Sequence, residues 1–527
     1  MTSLRRDMTD TNDLSLYRAL PLEKAFSSTL LHYIVLALVM GLAITLRITD
    51  LNAIGYNSDE AVYAGQGAAL AQVPILKDLF PIFRAHPLLV QSLLAISYHF
   101  GDYDVTGRFI AASFGIATVF LTYMIGRRLY GRRPALFAAL FIALMPYHVI
   151  VSRQVLLDGP MTFFCTLTLY LMVRFAETER PIWIIGAGAG LGLTVLSKEP
   201  SLIMVGSVYA FLALSPQIRI RIPTIIASLV VMAGIVSVFP LSIALAGGGG
   251  SKTTQNYLVW QLLRRPNHTW DFYFVTVPPA IGILVIITAL LGLLLMRRRN
   301  GWSEKLLVLW IVVPLIFFEL WPTKGFQYLL PLAPPFALLA ARTLAGWPEQ
   351  LRILKRYDLS YLPGLIVTVI IAVTLFIPTW TLIHPSQSGT FLAGSGGVPG
   401  GREVGQWIDS NVPDGATFLT IGPSMSNIIE FYGHRRSYGL SVSPNPFRRN
   451  PSYDPTLNPD FKIRMSDVQY LVWDSFSADR TSFFSQRLLD YAEHYHGRII
   501  HTETVTTTTP DGKSVEKPII IVYEVRP

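Results

Sequence analysis

A succession of apolar stretches, each about as long as a membrane-crossing helix, constrains what this chain can fold into. A helix needs about 20 apolar residues to cross a bilayer. The candidates lie near 30–48, 106–126, 134–152, 160–176, 182–198, 201–215, 223–245, 277–296, 305–321, 326–345 and 361–383. The chain has 527 residues, of which 51% are hydrophobic and only 15% charged, which is too apolar for an ordinary soluble protein. The sequence therefore predicts an α-helical polytopic membrane protein with about 11 transmembrane helices.

The stretch 61–100 does not fit this pattern. It is moderately polar and is interrupted by Pro74, Pro81 and Pro87. Proline ends or kinks a helix because it lacks the backbone N–H and clashes with the preceding turn. We expect short helices here that lie at the membrane interface or re-enter it.

The basic residues predict how the chain is oriented. Lys and Arg number 43 against 34 Asp and Glu, but they occur in short clusters between apolar spans, which favours a topological role over binding to nucleic acid. If the polar N-terminal stretch is cytoplasmic and leads into an uncleaved first span, nearly every cluster falls on the cytoplasmic side. These clusters contain Arg5, Arg6, Arg18, Lys24, Arg127, Arg128, Arg132, Arg133, Arg219, Arg221, Arg297, Arg298, Arg299, Arg352, Lys355 and Arg356.

The C-terminal part is predicted to be a separate domain. An odd number of spans places it outside the cytoplasm, after the flexible stretch GTFLAGSGGVPGG. REVGQWIDSN and RTSFFSQRLLDYAEHYH have helical periodicity, ATFLTIG and VQYLVWD are typical of buried strands, and a hairpin follows. The predicted parts are a cytoplasmic tail (1–29), a membrane domain (30–385), a linker (386–399) and an extracytoplasmic α/β domain (400–527).

The predicted outer face collects polar residues from several separate segments. They are Asp59, Glu60, Arg84, His86, Arg153, Asp158, Lys198, Glu199, Arg264, Arg265, His268, Lys324, Gln327 and Tyr328. Ionisable groups at membrane depth cost free energy, so a set gathered at one level predicts a functional site. We expect these residues to line a cavity that opens outward. The single cysteine, Cys165, allows neither an internal disulfide nor a thiol-paired metal site.

Each acidic candidate has a structural interpretation beside the functional one. Asn57 and Glu60 have the spacing of a helix N-cap and its capping-box partner, so both interpretations of Glu60 stay open. Asp59 has no capping role left, which favours function. Asp158 precedes Gly-Pro at the start of a span and is also able to cap that helix.

The basic candidates have the same two interpretations. Lys198 fits an interfacial ion pair with Glu199 as well as a binding role. Arg264 and Arg265 lie against the positive-inside trend. A bound anion explains this placement, and a solvated loop explains it equally well. His86, next to Pro87, is a weak signal by itself.

Short motifs follow one another along the predicted membrane part in a defined order. After the first span they read SDEAVYA, HPLL, GRFIAASFGIATVFLTYMIGRRLYG, SRQVLLDGPMTFF, GLGLTVLSKEP and QYLLPLAPPFALLAA. Over roughly residues 30 to 345, this order resembles the GT-C glycosyltransferases of the protein O-mannosyltransferase group. That group uses a polyprenyl-phosphate sugar donor and includes the aminoarabinose transferases that modify lipid A. The chain reads SKEP where the eukaryotic protein mannosyltransferases have SKW.

The resemblance implies a fold, a reaction and roles for particular residues. It implies a GT-C membrane domain that transfers a mannose-like hexose from a polyprenyl-phosphate donor to a glycan, lipid or protein hydroxyl at the outer face. Asp59 matches the acid taken as the catalytic base, Asp158 matches the second outer acid, and Lys198 matches the basic residue at the end of the fifth span. We also keep Glu60 as a catalytic candidate.

The remaining candidates are predicted from their chemistry. Lys198, Arg264, Arg265 and Tyr328 are outer-face groups able to donate to a phosphate, and we predict that they bind the donor phosphate. Substrate-binding candidates are Arg84, His86, His268 and Lys324. We predict no cofactor and assign no metal ligand, although a divalent ion is compatible with the sequence.

The chemistry of a lipid-phosphate donor agrees with one base and several cations. A phosphate monoester has its second pKa near about 6 and departs at neutral pH without a proton, whereas a glycosidase needs two carboxylates. The main alternative is a transporter or flippase for a lipid-linked anionic sugar. Transporters often carry paired half-repeats, and the sequence has no such repeat, which favours catalysis.

Overall fold

The structure, a computed structural model, describes residues 29–100, 103–248, 251–297, 300–346, 362–384, 397–446, 448–508 and 514–526. Several predictions concern residues outside these ranges. They are the N-terminal tail, most of the linker 386–399, the PDGK turn of the hairpin and the basic residues Arg5, Arg6, Arg18, Lys24, Arg298, Arg299, Arg352, Lys355 and Arg356. The division into four parts stays a prediction.

Helices make up nearly all of the described membrane part. They are α1 (Thr29–Ile48), α2 (Ser58–Leu70), α3 (Leu76–Leu79), α4 (Leu89–Ser97), α5 (Tyr103–Leu129), α6 (Arg132–Leu144), α7 (Pro146–Ser152), α8 (Asp158–Thr178), α9 (Pro181–Ser197), α10 (Ile203–Ala213), α11 (Ile222–Val236), α12 (Val238–Leu245), α13 (Ser251–Leu263), α14 (Phe272–Ile281), α15 (Ile283–Leu295), α16 (Trp302–Leu320), α17 (Ala333–Gly346) and α18 (Leu362–Ile383). Two 3₁₀ segments, Glu199–Leu202 and Phe326–Leu332, precede α10 and α17.

Each apolar stretch singled out in the sequence is helical over most of its length, which confirms a helical, multi-pass membrane protein. By length and composition, six helices among the described residues are able to cross a membrane, or up to eight if each bent pair is one span. The bends are 58° between α6 and α7 and 94° between α14 and α15. Gly282, at the second bend, has φ +101°, which residues with a side chain rarely adopt. The number of about 11 spans therefore stays a prediction.

The stretch between the first and second spans forms the short helices α2, α3 and α4, as its prolines predict. The conformation of the segment before α2 depends on one buried cation. Arg108 of α5 is only 2% exposed, and its guanidinium donates to the backbone oxygens of Leu51, Ile54 and Gly55 at 2.6 to 3.0 Å. An arginine has five donors and is always charged, so it satisfies several carbonyls at once where water is excluded.

The C-terminal part is an α/β domain, as predicted. Its strands β1 (Thr417–Thr420), β2 (Arg436–Gly439), β3 (Tyr470–Asp474), β4 (Arg498–Thr508) and β5 (Ser514–Glu524) form one sheet in the order β2-β1-β3-β5-β4. The strand β1 is parallel to β2 and β3, whereas β5 is antiparallel to β3 and β4. Its helices are α19 (Gly401–Asn411), α20 (Pro423–Tyr432), α21 (Pro459–Arg464), α22 (Ser475–Arg480) and α23 (Ser482–His494).

Four elements of this domain have no counterpart in the sequence prediction. They are β2, α20, α21 and α22. The helix α20 packs against α2 of the membrane part, and apolar residues of both helices belong to one buried cluster that includes Ala61 and Ile428. The C-terminal domain is thus in direct contact with the segment that carries Asp59.

Candidate active site

The helix that carries Asp59 begins with a capping box, as the sequence predicts. The side chain of Asn57 accepts a hydrogen bond from the backbone N–H of Glu60 at 3.0 Å. The Glu60 carboxylate accepts from the backbone N–H of Asn57, also at 3.0 Å. The two bonds satisfy donors at the first turn of α2 that would otherwise be unpaired.

Glu60 has further buried partners. Its carboxylate receives two hydrogen bonds of 2.8 Å from Arg108 and one of 2.9 Å from the backbone N–H of Val155. Both side chains of the Glu60–Arg108 pair are almost fully buried. These contacts occupy both carboxylate oxygens, which favours a structural role for Glu60 over catalysis.

Asp59 has a different environment from its neighbour. It is partly exposed, whereas Glu60 is fully buried. Its charge acts on the hydroxyl groups of Tyr63, Tyr257 and Tyr328. Tyr63 lies four residues after Asp59 on the same face of α2. Asp59 therefore lies within electrostatic range of tyrosines contributed by three separate segments.

Asp158 and Lys198 form a buried ion pair in this region. The Lys198 ammonium donates to both oxygens of Asp158 at 2.8 Å, and both side chains are nearly inaccessible to solvent. Lys198 also lies over the ring of Tyr328, 4.3 Å from its centroid. Asp158 is the first residue of α8, and its carboxylate is paired with Lys198.

His86 and Glu199 form a second pair close by. The Nδ1 atom of His86 lies 2.8 and 2.9 Å from the two carboxylate oxygens of Glu199. The His86 ring makes edge contacts with Tyr63 and Tyr257, at centroid distances of 6.0 and 5.3 Å. Lys198 is therefore paired with Asp158, and Glu199 with His86, rather than with each other.

The predicted arginines lie at the periphery of this group. Arg84 is buried and stacks on Tyr453 of the C-terminal domain, 4.9 Å from the ring centroid. Arg264 is partly buried over Trp260 at 4.4 Å, and its charge acts on Tyr257 and Tyr328. Arg265 is exposed. Of the two adjacent arginines, Arg264 is the one that faces the tyrosines.

His268 and Lys324 line a different cavity of about 900 Å³. Lys324 donates to Glu319 at 2.7 Å, and His268 stacks on Phe272 at 4.0 Å. The cavity is bounded by α7, α14, α18 and the C-terminal domain, from which Arg480 contributes. Its wall is mostly apolar away from these cations. This cavity, hereafter the Lys324 cavity, suits an amphipathic anion.

Sequence reasoning missed several residues of the site. Tyr63 lies four residues after Asp59, so helical spacing was a usable signal. Arg108 was detectable as a charge within an apolar span. Tyr257 and Tyr453 had no local signal, because long-range packing brings them to Asp59. Among the described residues, no group of three His, Cys, Asp or Glu side chains converges to hold a metal ion.

Comparison with protein families gives a match over part of the chain. Residues 85–243 match the family described as dolichyl-phosphate-mannose-protein mannosyltransferase. A protein of Aquifex aeolicus is 24% identical over 366 residues, which cover 63% of this chain and 68% of the relative. An undecaprenyl phosphate-alpha-4-amino-4-deoxy-L-arabinose arabinosyl transferase of Aeromonas hydrophila is 31% identical over 109 residues, 19% of this chain and only 20% of that enzyme.

Solved structures extend the likeness to nearly the whole fold. ArnT from Cupriavidus metallidurans, bound to undecaprenyl phosphate, has a TM-score of 0.65 and 13% sequence identity. The match covers 92% of this chain and 97% of ArnT. The resemblance to the GT-C glycosyltransferase group is confirmed, and the fold of the chain is of this type.

Proposed function

We propose that this GT-C chain is an integral-membrane inverting glycosyltransferase that moves a sugar from a polyprenyl-phosphate donor to an acceptor hydroxyl. We further propose that the sugar is a mannose-like hexose and that transfer occurs at the outer face, with the N-terminus in the cytoplasm. The matching family and the arabinosyl transferase relative support the donor class. The distribution of basic residues supports the orientation.

The observation that carries this proposal is the contrast between the adjacent carboxylates Asp59 and Glu60. Glu60 is buried and paired with Arg108, whereas Asp59 is partly exposed and within electrostatic range of Tyr63 and Tyr328. A general base must reach the proton that it removes, and only the more accessible carboxylate meets this requirement. Asp59 is therefore assigned as the base and Glu60 as a residue that holds its helix in place.

The reaction follows from these assignments. The acceptor hydroxyl gives its proton to Asp59 while its oxygen attacks the anomeric carbon of the sugar. The bond from that carbon to the phosphate oxygen breaks, and the polyprenyl phosphate departs with the bonding electrons. Attack from the side opposite the phosphate inverts the anomeric configuration.

Cations near the site would stabilise the charge that develops on the departing phosphate. Lys198 lies over the ring of Tyr328 and Arg264 is within electrostatic range of that tyrosine, so we assign the donor phosphate to these three groups. Asp158 holds Lys198 through two hydrogen bonds of 2.8 Å. Its proposed role is to fix the ammonium at this position. Arg265 is exposed and contributes less.

The test is transfer from radiolabelled polyprenyl-phosphate hexoses to extracted acceptors by the purified protein and its Asp59→Asn variant. This substitution keeps the shape of the side chain and removes the base. General-base catalysis contributes about 10² to 10⁴ in rate, so we expect transfer to fall by this factor while donor binding and folding are retained. Near-normal turnover in a folded Asp59→Asn protein would contradict the assignment.

Asp50→Asn is the matched control for this experiment. Asp50 is an exposed carboxylate shortly after α1 that pairs with His384 at 3.3 Å. It has a positive φ of 51°, which asparagine adopts readily, so the control removes a nearby charge without backbone strain. Glu60→Gln is unsuitable, because it breaks a buried pair with Arg108 and lowers stability directly.

A transporter or flippase for a lipid-linked anionic sugar is the competing function. It predicts that the labelled sugar stays on its lipid while the lipid crosses the membrane. Reconstitution into vesicles with the donor on one side distinguishes the two functions. Labelled sugar that no longer extracts with the lipid donor supports transfer. Intact labelled donor that has moved to the other side of the membrane supports transport.

A further inference from the structure

The segment that leads into α2 is held from two directions. From the membrane side, Arg108 binds the backbone of residues 51–55 and the carboxylate of Glu60. From the other side, α20 of the C-terminal domain contacts residues on both sides of Asn57. No sequence motif predicts the contacts made by α20.

The first contact joins Asn427 of α20 to Ser58. The amide Nδ2 of Asn427 donates to the hydroxyl of Ser58 at 2.9 Å. Each side chain is only 2% exposed. Ser58 immediately precedes Asp59, so this bond restrains the first residue of α2 next to the proposed base. Where water is excluded, removing one partner of a buried hydrogen bond costs free energy, because the other partner is left without a hydrogen bond.

The second contact joins Tyr432, at the end of α20, to Tyr56. The hydroxyl of Tyr432 accepts a hydrogen bond from the backbone N–H of Tyr56 at 2.8 Å. The same hydroxyl donates to Asp104 of α5 at 2.6 Å. One tyrosine of the C-terminal domain thereby links the approach to α2 with the beginning of a membrane span.

Close backbone packing reinforces these two bonds. Arg402 donates to the backbone oxygen of Asn52 at 3.0 Å and lies 3.5 Å from Asp104. A Cβ atom added at Gly55 would lie 2.4 Å from the Cβ of Arg402. No side chain larger than hydrogen fits at Gly55 unless the C-terminal domain moves away.

Electrostatic contact also reaches Asp59 itself from this domain. Burial raises the pKa of the Tyr453 hydroxyl, Arg84 opposes the shift, and the charge of Asp59 adds to it. The side chain of Asn427 interacts with the same hydroxyl. Asn427 is therefore adjacent both to Ser58 and to a tyrosine that senses the charge of Asp59.

We propose that Asn427 and Tyr432 are positioning residues that hold the first turn of α2, and with it Asp59, in the orientation needed for transfer. This inference rests on the proposed function. It gives the C-terminal domain a part in the alignment of the base. Small displacements of a reacting group reduce rate strongly, because the aligned geometry contributes much of the acceleration.

The test measures kcat and donor KM for Asn427→Ala, Ser58→Ala and the double variant, with a radiolabelled polyprenyl-phosphate mannose and a small soluble hydroxyl acceptor. We expect each single variant to lose roughly 10- to 100-fold in kcat with donor KM within about twofold. If both residues act through one bond, the double variant loses no more than either single one. Multiplying losses, or unchanged kcat in Asn427→Ala, would overturn the proposal.

Two further variants guard against simple unfolding. Tyr432→Phe keeps the ring and removes only the hydroxyl, and Gly55→Ala displaces Arg402 without changing a polar group of the site. Both should lower kcat in protein whose thermal unfolding stays cooperative. Asn411→Ala is the control, because Asn411 is an exposed asparagine of the same domain that bonds only to the backbone of Trp407 among its described contacts. It should keep wild-type kcat.

A pH profile separates positioning from general structural support. Asn427→Asp introduces a second carboxylate near Asp59, which disfavours the ionised base. The acid limb of kcat/KM should move to higher pH in this variant and stay in place in Asn411→Asp. If the acid limb of kcat/KM did not move in Asn427→Asp, residue 427 would not lie close enough to Asp59 to act on its ionisation.

Hydrogen exchange makes the inference testable independently of transfer. In Asn427→Ala and Tyr432→Phe, amides of residues 55–62 should exchange at least about tenfold faster, because the segment opens locally more often. If the wild-type protein transfers no sugar from any donor, the proposed function fails and the exchange rates alone decide whether the segment is held. Unchanged exchange in both variants, with transfer intact, refutes the positioning role.

Discussion

Two polar regions lie on either side of the segment from Lys324 to Tyr328, and they differ in the charges that they combine. On one side, Tyr328 contacts Lys198 and senses the charge of Asp59. On the other side, Lys324 lines a cavity with His268 and an otherwise largely apolar wall. Among the described residues that line this cavity, none is a carboxylate.

This difference favours different roles for the two regions. A base must be an accessible carboxylate or similar group near donors that stabilise developing charge, and only the Asp59 side combines both. A cavity with cations and apolar walls has the composition of a binding site for an amphipathic anion. We therefore expect substitutions on the Asp59 side to change kcat or donor affinity, and substitutions in the Lys324 cavity to change only the KM of one substrate.

Breaking the Asp158–Lys198 pair should have the largest effect. Lys198→Gln leaves the buried carboxylate of Asp158 without its cation, which costs about 3–5 kcal/mol of stability, and removes a proposed donor to the phosphate. Thermal unfolding and a direct donor-binding assay measure the two losses. The double variant Lys198→Gln/Asp158→Asn should recover most of the stability but not donor binding. Recovery of both would mean that the pair is structural only.

Removing the charge of Arg264 should have the next largest effect. A hydrogen bond to a charged group contributes about 1.5–3 kcal/mol, so Arg264→Gln should weaken donor affinity roughly 10- to 100-fold. Arg265→Gln is the adjacent control, since Arg265 is exposed and should change affinity less than about threefold. If Arg264→Gln and Arg265→Gln weakened donor affinity equally, the position of Arg264 near the tyrosines would not explain donor binding.

A substitution in the Lys324 cavity should have a smaller effect of a different kind. Arg480 belongs to the cavity wall and stacks on Phe476 at 3.8 Å. Arg480→Gln should raise the KM of one substrate roughly two- to fivefold and leave kcat unchanged. Arg487→Gln, on the exposed side of α23, serves as the control. A fall in kcat in the Arg480 variant would show that the Lys324 cavity takes part in the chemical step.

The smallest effect on transfer is expected at Glu430, which should instead give stability a pH dependence. Burial raises the pKa of this carboxyl to about 7, against the opposing charges of Arg84 and Arg436. Because the folded protein binds the proton more tightly than the unfolded chain, this contribution to stability is present below about pH 4.5 and is lost as the pH rises to about 7. Glu430→Gln should flatten that decline by about 2–3 kcal/mol, as measured by thermal unfolding between pH 5 and 8. An unchanged slope would contradict the shift.

The membrane helices and the first turn of α2 were predictable because local rules govern them. Apolar length predicts a helix wherever lipid surrounds the chain, and each such stretch is helical in the structure. The Asn57–Glu60 capping box depends on a spacing of three residues and is present as predicted. The hairpin of β4 and β5 and the helices α19 and α23 likewise follow from periodicity.

The helix α20 and the pairing of Lys198 were not predictable in the same way. The sequence places Glu199 next to Lys198, but Lys198 pairs with Asp158, 40 residues earlier, because the ends of α8 and α9 meet. In α20, Asn427 bonds to a serine 369 positions away. No local pattern specifies a partner at such separation.

The sequence by itself determined that the chain crosses a membrane repeatedly and that an α/β domain follows, and it predicts that the acids and several cations gather at one level. These properties depend on hydrophobic length, charge distribution and periodicity, which are readable residue by residue. Only the tertiary structure decided that Glu60 is enclosed by Arg108 while Asp59 remains accessible. It also decided that α20 packs against the first turn of α2, because burial and long-range hydrogen bonds exist only after distant segments have packed.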